Sequence, residues 1–240
     1  MSKSNKIDLI VGGKRLDGRD FFEVREIEMK VNVVNNADGS AMVRFGNTTA
    51  IAAVYGPRLL LPKFLQEEKA VLRCRYNMTP FSTDERKTPG HDRRSIELSK
   101  VIKSALEPAI FLEDFPKTRI DVFIDIVQAD GSTRVASINA ASLALAMAGI
   151  PMRDLVVACT AGKINGCLVL DLNGKEDNFG EADLSFAMMY SKNRVTLLQT
   201  DGEFSYEEIE ILIKELKKAC EKIYEMQKST LKDYYQKYVE

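Results

Sequence analysis

Gln128-Ala129-Asp130-Gly131-Ser132-Thr133-Arg134 runs directly into Val135-Ala136-Ser137-Ile138-Asn139-Ala140-Ala141-Ser142-Leu143-Ala144-Leu145-Ala146-Met147-Ala148. The residues before it, Ile120 to Val127, are rich in β-branched side chains and read as a strand. The Ala/Ser/Leu run after the loop has high helix propensity. Gly149-Ile150-Pro151 ends it, with glycine just past the last turn and proline beyond. The order is therefore strand, short hydroxyl-rich loop, helix. The first N–H groups of a helix lack partners and carry the positive end of its dipole, so an anion is the expected guest. Arg134 adds a fork of donors that matches a phosphate. Taken alone, the loop also fits a plainer reading, in which Ser132 or Thr133 only caps a core helix.

The chain has 240 residues, 45% of them apolar, enough for one large domain or two fused small ones with a full core. Its net charge of −1 argues against indiscriminate nucleic-acid binding and leaves room only for a local basic patch. The four cysteines, Cys74, Cys159, Cys167 and Cys220, form no CxxC pair. With His91 as the single histidine, a structural zinc site is not expected. Their apolar surroundings suit reduced core thiols. The first residues lack an apolar signal core, so a cytoplasmic location is expected. No apolar run approaches the roughly 20 residues that span a bilayer, and no membrane partner is expected.

Outward from the central stretch, residues 12–25 mix turns and charges and read as a surface lead-in carrying Arg15, Arg19 and Arg25. Alternation predicts a strand over 26–34, a second through Ala41, Val43 and Phe45, and a central one over 49–55. Gly56-Pro57 opens an irregular piece whose Leu59-Leu60-Leu61 run suggests an interface. Over Val71–Met78, Leu72, Cys74 and Tyr76 take one face and Arg73, Arg75 and Asn77 the other. Two arginines on one face point to an acidic partner or to a solvated sheet face. His91 in the following loop reads as a bystander. Asp92 is a candidate N-cap for a helix over 93–107, with Ile96, Val101, Ile102, Ala105 and Leu106 toward the core. Arg93 and Arg94 in its first turn oppose the dipole unless an anion sits there. That makes a second candidate phosphate site, independent of Arg134.

Beyond Pro151, short strands are expected at 155–161, 167–172, 184–190 and 195–200, the first two joined by a Gly162–Gly166 hairpin. Between the second and third lie Asp171, Glu176, Asp177, Glu181 and Asp183, which repel one another unless a cation or proton offsets them. The order is not that of an EF-hand. Two of these acids could hold Mg²⁺ or donate a proton, or the segment is a solvated acidic turn. Ser205-Tyr206-Glu207-Glu208 is a capping box that starts a long amphipathic helix. The charged tail, 228–240, is expected to fray. No Walker A, GxGxxG or HExxH motif occurs, and a lone histidine gives no attractive triad.

From Gly13 to Ile223 the chain resembles the RNase PH family, and within it the catalytic RNase PH-like subunits of the archaeal exosome. The matching pieces are Arg15-Leu16-Asp17-Gly18-Arg19, Ala37 to Ser40, Ala53 to Pro57, Val71 to Phe81, Glu85 to Lys87, Arg93-Arg94, Gln128 to Arg134, Gly149 to Leu155, and Leu170 to Leu172 with Glu176-Asp177 and Ala182-Asp183. Each is weak alone; their order and spacing together are specific. The resemblance implies an α+β RNase PH-like fold of two sheet-and-helix halves packed as one body. The first half, 1–150, would be ribosomal protein S5 domain 2-like and hold the phosphate loop. The second, 151–240, would hold the acidic pair and the C-terminal helix.

The implied activity is 3′→5′ degradation of single-stranded RNA, with inorganic phosphate as co-substrate and nucleoside diphosphates as products. By position, Arg94, Ser132, Thr133 and Arg134 would bind phosphate. Asp177 and Asp183 would be catalytic and would hold Mg²⁺. Arg58, Lys63, Arg73, Arg75 and Arg93 would contact RNA. The implied partners are RNA, an inactive RNase PH-like paralogue in a six-membered ring of three heterodimers, and RNA-binding cap subunits. Competing readings are a non-catalytic ring subunit, a homohexameric enzyme trimming tRNA 3′ ends, and a small-molecule kinase. Two stretches depart from the family pattern. Ser132 stands where glycine is usual, so a positive φ there would carry strain. Leu61-Pro62-Lys63-Phe64 is apolar where the archaeal subunits usually carry arginine and histidine.

Overall fold

In the computed structural model residues 8–60, 68–90 and 92–237 are described; Leu61 to Phe64, with Lys63, and His91 lie outside them. A small antiparallel pair, β1 (Ile10–Val11) and β2 (Lys14–Arg15), opens the chain. Strands β3 (Ile27–Val31), β4 (Gly39–Phe45) and β5 (Thr48–Leu59) follow as an antiparallel meander, as the alternation predicts. Then come β6 (Val71–Met78), α1 (Arg93–Leu106) and β7 (Thr118–Gln128). The sheet order is β3-β4-β5-β7-β6, which puts β5 in the middle as expected. Among the described residues only β6 and β7 pair in parallel, because the α1 crossover joins them.

Helix α2 (Thr133–Met147) is the keystone. Twelve of its fifteen residues are buried, so it must be packed on every side. It lies against β4 and β5 on one side and β8 (Val156–Ile164) on the other. Its alanines and serines let those strands come close: a Cβ on Gly39 of β4 would collide with the backbone at Ala148. Asn139 stays fully buried because its amide bonds the carbonyls of Val135 and Ala158, at 2.9 and 2.8 Å. Strands β8, β9 (Cys167–Leu170), β10 (Ala182–Met189) and β11 (Arg194–Gly202) make a second, antiparallel sheet of order β11-β10-β8-β9. Between β9 and β10 the acidic segment contains a short helix, α3 (Gly174–Phe179), started by an Asn173/Glu176 capping box. Val43, Ile124, Ile138, Leu145, Phe186 and Leu216 belong to one continuous core that spans both sheets.

Three expectations need correction. The first concerns residues 12–25, most of which lie on the surface as expected while Arg15 and Arg25 do not. Arg15 is 2% exposed and Arg25 9%. Arg15 forms a two-pronged pair with Glu176 and donates to the carbonyls of Leu170 and Asp171 at 2.6 and 2.8 Å. Arg25 grips both oxygens of Asp171, at 2.8 and 2.7 Å. The acidic partner of Arg15 is 161 positions away, so nothing local announces it. The second is the tail: α4 (Tyr206–Gln236) runs through it without fraying at 228. Gln227 is fully buried and donates to Asn139 and to the Val156 carbonyl, and Leu231 packs on the core. The third is Ile96, which faces outward at 64% exposure, while Ser95 and Leu98 take the inner positions of α1.

Candidate active site

A cavity of about 500 Å³ opens where α1, the N-terminus of α2, α3, β10 and β11 converge. Each wall has a local cause. Asp92 caps α1, its carboxylate accepting from the Ser95 N–H at 2.7 Å, so Arg94 emerges in the first turn and lines the cavity. Ser132, Thr133 and Arg134 form the second wall. Gly131 turns the loop at φ +70°, and a Cβ there would lie 2.6 Å from the Asn173 carbonyl carbon. Only glycine permits both the turn and the contact.

Ser132 occupies the N-cap position of α2 but does not cap it with its side chain. The backbone there is left-handed, at φ 55°, a conformation that strains any residue with a Cβ. The hydroxyl donates to the Leu172 carbonyl at 2.7 Å and meets Thr160 Oγ1 at the same distance. Leu172 N–H donates to Thr160 Oγ1 at 3.3 Å and closes the ring. The plain capping reading of Ser132 therefore fails. Its hydroxyl ties the loop to the acidic segment and leaves the first N–H groups of α2 without a side-chain cap. Arg134 bonds Ser185 Oγ at 2.8 Å through Nη1, while its buried Nε has no partner among the described residues. A buried donor left open beside a helix N-terminus suits an anionic oxygen.

The opposite wall is acidic. Asp177 of α3 and Asp183 of β10 line the same cavity as Arg94 and Arg134. Burial pushes Asp177 upward, against the pull of Arg94, Arg134 and Arg25. Asp183 is also raised, by burial first and by the charge of Asp177 second, with Asp201 adding to it. Two carboxyls held above their ordinary range are suited to keep or deliver a proton. The remaining acids of the segment are accounted for differently. Asp171 and Glu176 are neutralised by Arg15, Arg19 and Arg25, and Glu181 accepts from the Gly166 N–H at 3.0 Å.

Models of the 3′ exoribonuclease family match twice, its domain 1 over residues 23–151 and its domain 2 over 154–215. The chain belongs to the RNase PH family. Exosome complex component Rrp41 of Pyrococcus furiosus is 59% identical over 226 residues, 94% of this chain and 90% of the relative. The protein of the same name from Pyrobaculum neutrophilum is 52% identical over 235 residues, 97% and 96% of the two chains. Among solved structures, rice (Oryza sativa) Rrp46 superposes with a TM-score of 0.81 at 29% identity, covering 91% of this chain and all of that one. A chain of the Archaeoglobus fulgidus exosome with RNA bound to the active site gives 0.78 at 25% identity, covering 89% and 92%. The fold of this RNase PH-family chain is thus the α+β one its motifs imply.

In this RNase PH-family chain Arg94, Ser132, Thr133, Arg134, Asp177 and Asp183 meet in one cavity. The other candidates stand apart from its lining. Arg93 is exposed at the start of α1, and Arg73 and Arg75 point outward from β6, the edge strand. Arg58 lies 5.3 Å from the Tyr55 ring centroid and pairs with Asp38 at 3.4 Å. Lys63 lies outside the described residues. Asp201 escaped the sequence reading. It sits directly opposite Asp183 in the β10–β11 ladder and lines the cavity. Placing the 190–193 turn does not reveal it: regular pairing from that turn would put Thr200 across from Asp183, and a register shift between Ala187 and Met188 brings Asp201 there instead. Ser185, which holds Arg134, was missed because that contact is made across 51 positions of sequence.

Proposed function

We propose that this chain is the catalytic subunit of an exosome ring and degrades RNA from the 3′ end by phosphorolysis. The observation that carries the reading is one cavity in which a helix N-terminus, Arg94 and Arg134 are brought together with two carboxyls held above their ordinary range. Inorganic phosphate sits against the α2 N-terminus and the two guanidinium groups, which offset the repulsion between two anions. A phosphate oxygen attacks the phosphorus of the last phosphodiester. The P–O3′ bond breaks and the terminal nucleotide leaves as a nucleoside diphosphate. The electron pair stays on the departing 3′-oxygen, which takes a proton from Asp177 or Asp183. Preorganised donors at the point where charge develops are the main source of rate.

Mg²⁺ fits this donor set. Among the described residues no group of three or more His, Cys, Asp or Glu is arranged to hold a metal. Magnesium is ordinarily held by one or two carboxylates plus substrate phosphate oxygens, which Asp177 and Asp183 can supply. When bound, it would offset charge on the phosphate oxygens. Relatives that are exosome components, and an exosome with RNA in its active site, support RNA as substrate and a multisubunit ring as context. We place an inactive RNase PH-like paralogue beside this chain in three alternating heterodimers, with RNA-binding caps. The working compartment is the cytoplasm; among the described residues no helix is long and apolar enough to cross a membrane.

The test is a 5′-labelled single-stranded RNA incubated with and without phosphate, and with and without Mg²⁺. A ladder shortening from the 3′ end, dependent on phosphate and releasing nucleoside diphosphates, is expected, and Asp183→Asn should abolish it. Nucleoside monophosphates formed without phosphate would mean hydrolysis and defeat the assignment of Arg94, Thr133 and Arg134. Activity only after the ring partner is added would make the hetero-oligomer obligate.

A further inference from the structure

Tyr76 is on β6 and is not among the residues that line the cavity. Its side chain is 0% exposed, and its hydroxyl donates to Thr133 Oγ1 at 3.1 Å. A phenol has one proton, and here it is directed at Thr133. The Thr133 oxygen thereby receives a bond on one lone pair, and its own proton must point elsewhere. Among the described residues the Thr133 hydroxyl donates to nothing. Thr133 lines the same cavity as Arg94 and Arg134, so an acceptor bound there can take its free proton.

We propose that Tyr76 is a positioning residue for the incoming anion: it fixes the Thr133 hydroxyl as a donor to one phosphate oxygen, and so sets the affinity for inorganic phosphate. This rests on the phosphorolytic reading above. The β-branched Thr133 has few side-chain rotamers, and the bond from Tyr76 restrains the remaining freedom of its hydroxyl. Burial raises the phenol pKa, so Tyr76 keeps its proton through the neutral range and the direction of the bond does not invert. The Tyr76 backbone is fixed too. Its N–H donates to Ser99 Oγ at 2.9 Å, and Ser99 donates to the Ser95 carbonyl at 2.6 Å, within the helix that carries Arg94. Tyr76 therefore links the two helix starts that face the anion. A core aromatic with a merely satisfied hydroxyl would show the same burial but no coupling to phosphate.

The experiment compares wild type, Tyr76→Phe, Thr133→Val and the double variant, each as the full chain assembled in its ring. Tyr76→Phe keeps the ring in the core and removes only the hydroxyl. It should raise KM for phosphate roughly threefold to tenfold, the range of one net hydrogen bond, and leave KM for RNA in place. Thr133→Val should raise KM for phosphate at least as much, and adding Tyr76→Phe to it should change KM for phosphate no further. An unchanged KM for phosphate in a Tyr76→Phe enzyme that melts normally overturns the role. So does an equal penalty in both backgrounds, or a Thr133→Val enzyme with normal KM for phosphate, which needs no Tyr76 variant to read. A wild-type enzyme indifferent to phosphate overturns the phosphorolytic reading itself, and is told apart by that control.

Discussion

Two sets of arginines and carboxylates meet at the short helix α3, and they are arranged in opposite ways. In the first set Arg15, Arg19 and Arg25 close on Asp171 and Glu176, with side chains at most 10% exposed. In the second, Arg94 and Arg134 face Asp177 and Asp183 across a cavity, and among the described residues neither arginine makes an ion pair. Glu176 and Asp177 are adjacent in sequence, so one turn of helix serves both sets. The difference is one of satisfaction. Every charge in the first set has a hydrogen-bonded partner, which fixes position and leaves no room for a ligand. Charges in the second are held apart, and that keeps them available to an incoming anion. Arg25 joins the two sets: it grips Asp171 and also donates to the Asp130 carbonyl of the loop before α2 at 2.6 Å.

The contrast can be broken from either side. The largest expected effect on folding is from Arg15→Ala, which removes the two-pronged partner of the buried Glu176 and leaves it only Arg19 at 3.7 Å and the Asn173 N–H. It should destabilise the chain by about 3–5 kcal/mol in urea unfolding. Arg134→Ala should show the reverse pattern. Phosphorolysis should fall by roughly 10²–10³-fold while the melting temperature moves little, since no carboxylate depends on Arg134 for pairing. If Arg134→Ala unfolds the protein instead, the second set is structural after all.

A smaller effect sharpens the same contrast through pH. Asp183 is raised in the folded state, so its ionised form is disfavoured there relative to the unfolded chain. The cost is absent below the ordinary carboxylate range and fully present once pH exceeds the raised value. Asp183→Asn should therefore be more stable than wild type at neutral pH and should lose that advantage toward about pH 4. Equal differences at both pH values in thermal melts would contradict the raised state. The smallest effect concerns Ser132. Ser132→Gly relieves the left-handed strain and loses the hydroxyl ring, two opposing changes of about 1 kcal/mol each. Ser132→Ala loses the ring and keeps the strain. Melting temperatures should fall in the order wild type or glycine, then alanine, with alanine clearly lowest.

The legibility of these two sets in the sequence was unequal for a physical reason. Arg94 stood out because positive charge in a helix's first turn opposes the dipole, and Arg134 because it adds a fork of donors beside a helix start. Asp177 and Asp183 stood out as an unneutralised cluster. Arg15 and Arg25 broke no local rule and looked like ordinary surface charge. Their meaning lies in Glu176 and Asp171, more than 140 positions away. Asp201 needed the register of a hairpin, and Tyr76 needed the packing of β6 beneath the start of α2.

By itself the sequence determined the elements and the chemistry of the cavity. The strand–loop–helix over 120–148, the Asp92 and Ser205 caps and the glycine stop at 149 follow from backbone preference and periodicity, which act over a few residues; the candidate residues that line the cavity were picked out by the family motifs. Tertiary structure alone decided which charges are neutralised and which stay open, how far α4 extends, and where the Ser132 hydroxyl points. Those outcomes depend on partners brought together by burial around α2, and desolvation makes each pairing count only once the partners are out of water.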